Sequence, residues 1–317
     1  MTLPPPLLPV TPDAWASGGT TFAWRGHELF ARVAGHGPTL LLLHGFPTSS
    51  WDWARVWPRL QPHHRLLALD MLGFGRSAKP RNFAYSVRAA ADQWHDFAVA
   101  QGVTEAHVLA HDYGDSVAQE LLARQAAGTL PLRIASVVFL NGGLFPEAHK
   151  PLPVQRWLAG PLGPLVARLA GYDRFAANLR RICTAPLTDE ELHEHWRLLR
   201  LHGGQRVLPA LLGYLRERRV QRERWVGALQ SADVPLRLVI GLDDPVAGVA
   251  IARRYRALLP VADVVELAGI GHYPQIEDPE AVVQAVEDFQ AAGGIPAGRR
   301  DPDALAFYAG VDRRASP

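Results

Sequence analysis

The junction between Ala106-His107-Val108-Leu109 and His111-Asp112-Tyr113-Gly114 limits the fold of this chain more than any other segment. The first stretch reads as a buried strand, and it runs without a spacer into a sharp turn. A residue held at a strand-to-helix turn needs small neighbours two positions away on both sides, because the backbone passes close to itself there. Ala110 and Gly114 supply them around Asp112. The pattern Ala-x-Asp-x-Gly therefore reads as a nucleophile elbow in which a carboxylate stands where serine is usual. Serine attacks acyl carbon, whereas a carboxylate displaces a leaving group from saturated carbon and leaves an alkyl ester on the protein. Epoxides and carbon–halogen bonds are the matching electrophiles.

Two plainer readings compete. Aspartate at a helix start is commonly an N-cap that accepts from unpaired amides. Alternatively, Gly114-Asp115-Ser116-Val117-Ala118 approximates a serine elbow four residues later. Ser116, however, lies a full turn beyond the apolar strand, on the side of the helix.

A triad built on this elbow needs a carboxylate and then a histidine later in the chain. Leu236-Arg237-Leu238-Val239-Ile240 is a strand-like run ending in Gly241-Leu242-Asp243-Asp244-Pro245. Asp244 is the preferred orienting acid, with Asp243 as runner-up. Val264-Val265-Glu266-Leu267 precedes Ala268-Gly269-Ile270-Gly271-His272, which makes His272 the candidate base among 13 histidines. Upstream, Thr39-Leu40-Leu41-Leu42-Leu43 has the unbroken apolar character of a strand buried on both faces, and it leads into His44-Gly45-Phe46-Pro47. The backbone N–H groups of Phe46 and Tyr113 are the expected oxyanion donors; Pro47 has none to give. His44 and His111 are expected to fill structural hydrogen-bonding roles.

The strand–helix rhythm predicts the organisation. A hairpin over Thr21 to Val33 and strands near Leu40, Leu66, Val108 and Val137 alternate with helical stretches, as in an α/β fold with a mostly parallel, doubly wound sheet. The rhythm stops at Phe145-Pro146 and resumes near Val234. Between them, leucines and arginines recur at helical spacing, as in Leu192-Trp196-Leu199. We therefore expect an extended arm over 1–18, a core over 19–145 and 230–292, an inserted helical cap over 146–229 and a polar extension over 293–317. Pro161 and Pro164 interrupt one leucine pattern, so its helix is expected to begin near Pro164. The run from Arg216 to Arg224, broken by glutamates, reads as a solvated cap surface.

These motifs in this order resemble the α/β-hydrolase superfamily, in particular its epoxide hydrolase and haloalkane dehalogenase branch. His44-Gly45-Phe46-Pro47-Thr48-Ser49-Ser50-Trp51-Asp52-Trp53, Asp70-Met71-Leu72-Gly73-Phe74-Gly75-Arg76-Ser77 and Asn141-Gly142-Gly143-Leu144-Phe145-Pro146-Glu147 are most similar to the mesoderm-specific transcript protein-like hydrolases. So are Arg224-Trp225-Val226-Gly227-Ala228-Leu229 and the stretch from His272 to Pro279. The resemblance implies cap tyrosines that donate to the oxygen of an opening epoxide. Tyr214 sits where the second of these would fall, and Tyr172 is a possible first. Haloalkane dehalogenases usually carry tryptophan after the nucleophile, and here that residue is Tyr113, so epoxide hydrolysis to a diol leads. Haloalkane dehalogenation or ester hydrolysis, and a non-catalytic small-ligand-binding role, are the alternatives.

Composition bounds the partners. The 317 residues carry 33 basic and 31 acidic side chains and are 48% hydrophobic, enough for a full core and without a general electrostatic case for nucleic acid or an anionic membrane as a partner. A small hydrophobic substrate, no membrane anchor and a monomer or homodimer are expected. Prolines at 4, 5, 6 and 9 break the only candidate leader, so a cytoplasmic location is the default. The single cysteine, Cys183, has no internal partner and reads as core. Gly73-Phe74-Gly75-Arg76-Ser77 lacks the rest of a phosphate loop, and His63-His64, His193 and His195 have no ligand cluster. Neither cofactor nor metal is expected.

Overall fold

The structure, a computed structural model, describes residues 9–185 and 187–293. The expected C-terminal extension lies outside them apart from Gly293. Eight strands form one sheet in the order β1-β2-β4-β3-β5-β6-β7-β8. The hairpin β1 (Gly19–Trp24) and β2 (His27–Ala34) is antiparallel, and β2 runs antiparallel to β4 (Arg65–Leu69). From there β3 (Thr39–Leu43), β5 (Glu105–His111), β6 (Arg133–Leu140), β7 (Leu236–Gly241) and β8 (Asp263–Leu267) continue in parallel. Leu40 to Leu43 are buried on both faces of β3, which is why that strand reads as an apolar run rather than an alternation. All the parallel strands end on one edge, so the turns after β3, β5, β6, β7 and β8 converge there.

The expected arm is not wholly extended. Pro12–Ser17 is a helix whose Thr11 hydroxyl accepts from the Ala14 amide at 3.3 Å, and Trp15 is buried edge-on against Trp57. Trp51 donates its indole N–H to the Val10 carbonyl at 3.1 Å, fastening that residue too. Pro164 stands in the first turn of the helix Gly163–Leu169, as the proline argument required.

Glu120, on the helix Tyr113–Ala126, is buried where that helix meets the helix Arg222–Gln230. Its carboxylate accepts from Trp225 Nε1 at 2.8 Å, Arg224 Nε at 2.9 Å and Arg124 Nε at 3.0 Å. Burial alone would raise its pKa, but Arg224, Trp225 and Arg124 hold it below the ordinary value. Removing the carboxylate leaves the Trp225 indole N–H without its acceptor while Arg124 keeps Asp92, so Glu120→Ala should lower the unfolding free energy by about 1–3 kcal/mol. Urea denaturation at neutral pH measures this, and a loss under ~1 kcal/mol would mean the cluster is replaceable by water. Because the folded pKa is depressed, this stabilisation exists above the unfolded carboxylate pKa and disappears as pH falls through the folded one.

Candidate active site

Asp112 lies between β5 and the helix Tyr113–Ala126 with φ 47° and ψ −100°, a conformation rarely adopted by a residue with a side chain. The packing around it enforces the turn. A Cβ on Gly114 would stand 2.3 Å from the Leu43 carbonyl oxygen, so only glycine lets the helix approach β3 this closely. Asp112 sits at the N-cap position but makes no side-chain cap bond. Oδ2 instead accepts from the Phe46 amide at 3.1 Å. Tyr113 opens the helix, where an amide has no acceptor in a preceding turn. Of the two expected oxyanion donors, the Phe46 amide thus meets the carboxylate directly, and the Tyr113 amide stands at the helix start next to Asp112 in sequence.

The turns after β7 and β8 bring the other two members together. His272 Nδ1 donates to Asp244 Oδ2 at 2.7 Å, which leaves Nε2 as the ring nitrogen not engaged by Asp244. Asp243 is exposed, while Asp244 is buried and also accepts from the Val246 amide at 2.7 Å. Asn141, directly after β6, donates to Asp244 Oδ2 at 2.9 Å and to the Gly241 carbonyl at 3.1 Å, and its Oδ1 accepts from the Gly241 amide at 2.8 Å. Sequence reasoning gave Asn141 no role; its place at the end of a parallel strand was the available signal.

The remaining histidines of the turns behave as structural residues. His111 Nε2 donates to the His272 carbonyl at 2.8 Å, and burial pushes its pKa down to about 3. His44 donates from Nδ1 to the Gly45 carbonyl at 2.9 Å and accepts at Nε2 from the Met71 amide at 3.1 Å. The glycine loop after β4 is likewise architectural: Asp70 accepts from the amides of Ser50 and Arg76, each at 2.7 Å.

The basic run from Arg216 to Arg224 is not solvated throughout. Arg218 is not solvated but 2% exposed, and it reaches down beside the elbow. Its Nη2 donates to the Asp112 carbonyl at 2.8 Å and stands 3.4 Å from Oδ1, while Nε donates to Ser116 Oγ at 2.7 Å. Ser116 is thus an internal helix residue held by an arginine. A Cβ on Gly143 would lie 2.4 Å from Arg218 Nη1, so that glycine makes room for the guanidinium. Burial would raise the Asp112 pKa, but Arg218 and then His272 outweigh it and hold the carboxyl below its ordinary value.

The two cap tyrosines part company. Tyr214 is buried, its ring 5.9 Å from that of Phe46, 5.3 Å from that of Tyr113 and 4.5 Å from the Arg218 guanidinium carbon, and its hydroxyl has no hydrogen-bond partner among the described residues. Tyr172 does not belong to the site. It stacks on His193 with ring centres 4.0 Å apart, and the two share a 3.0 Å hydrogen bond away from the cavity. Asp112, His272 and Phe46 line a cavity of about 670 Å³ under the cap, whose other walls include Leu158, Phe175 and Trp196. Among the described residues no group of three or more histidine, cysteine or acidic side chains could hold a metal ion.

The chain belongs to the α/β-hydrolase fold family, whose profile matches residues 38–279. Among individual relatives, it is 42% identical over 277 residues to the putative hydrolase LipZ of Mycobacterium tuberculosis, covering 86% of this chain and 95% of that one. It is 38% identical over 302 residues to the mesoderm-specific transcript protein of Mus musculus, covering 90% of each. Solved structures share the fold: haloalkane dehalogenase DbeA from Bradyrhizobium elkani (22% identity, TM-score 0.72, 86% of this chain and 97% of that one) and the epoxide hydrolase CorEH (21%, 0.69, 86% and 98%).

If Arg218 keeps Asp112 ionised, Arg218→Met should raise the carboxyl pKa and Arg218→Lys should restore part of the shift. Infrared titration of the carboxylate against an Asp112→Asn blank measures it. An unshifted Asp112 in Arg218→Met would assign the guanidinium a purely structural role.

Proposed function

We propose that the protein is a hydrolase that attacks a small apolar electrophile with Asp112, with an epoxide, hydrolysed to a diol, as the leading substrate class. The observation that carries this reading is a buried carboxylate, held ionised, at the end of an apolar cavity with His272 beside it and Asp244 behind. Asp112 attacks an epoxide carbon, the carbon–oxygen bond of the ring breaks, and the alkoxide takes a proton from an acid. Tyr214 is our candidate for that acid: it does not itself line the cavity, but its ring packs beside Phe46, which does, it feels the charge of Asp112, and its hydroxyl lacks a partner among the described residues. In the second step His272 Nε2 takes a proton from water, which attacks the ester carbonyl. Negative charge collects on the carbonyl oxygen facing Phe46 and Tyr113, and the diol leaves with one oxygen that belonged to Asp112.

The electrostatics time these steps. Burial opposes charge on His272, but Asp244 and then Asp112 raise its pKa from 6.5 to about 9. Esterification removes the charge of Asp112, which lowers the imidazole pKa when a base is needed. In Asp112→Asn the His272 titration, followed by NMR, should therefore move to lower pH; an unchanged midpoint would remove this coupling. The linkage has a definite sign: the charged His272 stabilises the fold fully below its unfolded pKa and loses that contribution as pH rises through about 9.

Epoxides, haloalkanes and aryl esters, tested with wild type, Asp112→Asn and His272→Gln, separate the readings. His272→Gln should accumulate an adduct with the mass of the whole epoxide, and Asp112→Asn none. Tyr214→Phe should slow ring opening by roughly tenfold or more. A haloalkane adduct with halide release would transfer the mechanism to dehalogenation. Failure of every electrophile to modify Asp112 would leave only ligand binding.

A further inference from the structure

The cap carries an apolar stripe with nothing packed on it. Leu162, Leu165 and Leu169 recur at three- and four-residue spacing along the helix Gly163–Leu169 and are 54–66% exposed, while Ala167 on the opposite side is buried. Trp157, 60% exposed, shares a surface depression with Leu162. Large apolar side chains clustered on a surface mark an interaction site more often than isolated ones do. Trp157 also lines the cavity that holds Asp112, so the stripe adjoins the cavity mouth.

The charge of this face is as uneven as its hydropathy. Residues 150–182 contain six basic side chains against Asp173 alone, although the whole chain carries a net charge of only +2. Arg180 is paired with Asp189. Lys150, Arg156, Arg168, Arg174 and Arg181 make no ion pair among the described residues, and Arg174 and Arg181 stand on the cavity wall. Elsewhere on the surface some arginines are paired, as Arg222 and Arg254 are with Glu147, and others, such as Arg216, Arg219 and Arg253, are not paired among the described residues; what sets residues 150–182 apart is the shortage of acidic side chains.

We propose that this face of the cap, through Trp157, Leu162, Leu165, Leu169 and the arginines among them, seats the protein on an anionic lipid bilayer with the cavity mouth against the membrane. Leucines and an interfacial tryptophan enter the headgroup boundary while guanidinium groups meet the lipid phosphates. No helix among the described residues is long and apolar enough to cross a membrane, so the contact is peripheral. A second copy of the chain is the poorer occupant, since face-to-face pairing would bring the unpaired cations of both copies together. An apolar substrate dissolved in the bilayer would pass from lipid to cavity without crossing water.

Full-length protein sedimented with phosphatidylcholine vesicles, with and without phosphatidylglycerol, tests this. Binding should require the anionic lipid, weaken as salt rises, and bring Trp157 within reach of quenching by brominated acyl chains. Leu165→Asp with Leu169→Asp should abolish binding, and Arg168→Glu should weaken it by roughly fivefold or more. Unchanged thermal unfolding would show that these exposed substitutions leave the fold intact. The proposal falls if anionic vesicles are not bound at low salt, if the variants bind as wild type does, or if they alter only self-association in light scattering. Vesicle binding does not depend on turnover, so it stands or fails apart from the reaction proposed above.

Discussion

The close approach of the helix Tyr113–Ala126 to β3 is the constraint from which the site follows. Because Gly114 has no side chain, the chain can leave β5, turn at Asp112 and start the helix against the Leu43 carbonyl. The turn forces Asp112 into a strained backbone conformation and places its carboxylate in a dry position beside the Phe46 amide. A carboxylate there would ordinarily take up a proton. The position is tenable for an anion because other elements bring positive charge and hydrogen-bond donors to it.

The order of the charged groups is equally constrained. Asn141, with φ 38°, ties the end of β7 to Asp244 through both halves of its amide, so the Asp244 carboxylate is held independently of its bond to His272. The Asp244 bond to Nδ1 sets which nitrogen of His272 is available. His111, neutral and donating to the His272 carbonyl, holds that turn from beneath without adding charge. Each neighbour of the histidine thus constrains its position or its proton.

Much of this was legible in the sequence because it is local. The Leu40–Leu43 run, the elbow around Asp112 and the Gly271-His272 turn announce themselves by apolar continuity followed by small residues, and the sheet aligns their ends. Asp244 was separable from Asp243 only in three dimensions, since adjacent residues in a turn point in opposite directions. Arg218 was invisible for a different reason: among Arg216, Arg219, Arg222 and Arg224 nothing in composition distinguishes the one guanidinium that turns inward. Tyr172 failed because a tyrosine on a cap helix satisfies its hydroxyl with any neighbour, and His193 was nearer than the cavity. The first helix was missed because six residues starting with proline give too little periodicity to read.

Arg218 belongs to the inserted segment, while the carboxylate it faces belongs to the core. The two portions are therefore not interchangeable parts. Grafting a foreign insertion onto this core, or this insertion onto another, would preserve shape and cavity yet separate an anion from its counter-ion. The recipient core would lose the larger of the charges that hold Asp112 ionised, keeping only His272 and the Phe46 amide, and the carboxyl pKa would rise. Variation of the insertion can thus change the cavity walls freely, but only while a cation remains one helical turn beyond Tyr214. The ion pair between Arg218 and Asp112 thus joins the two portions by charge as well as by packing.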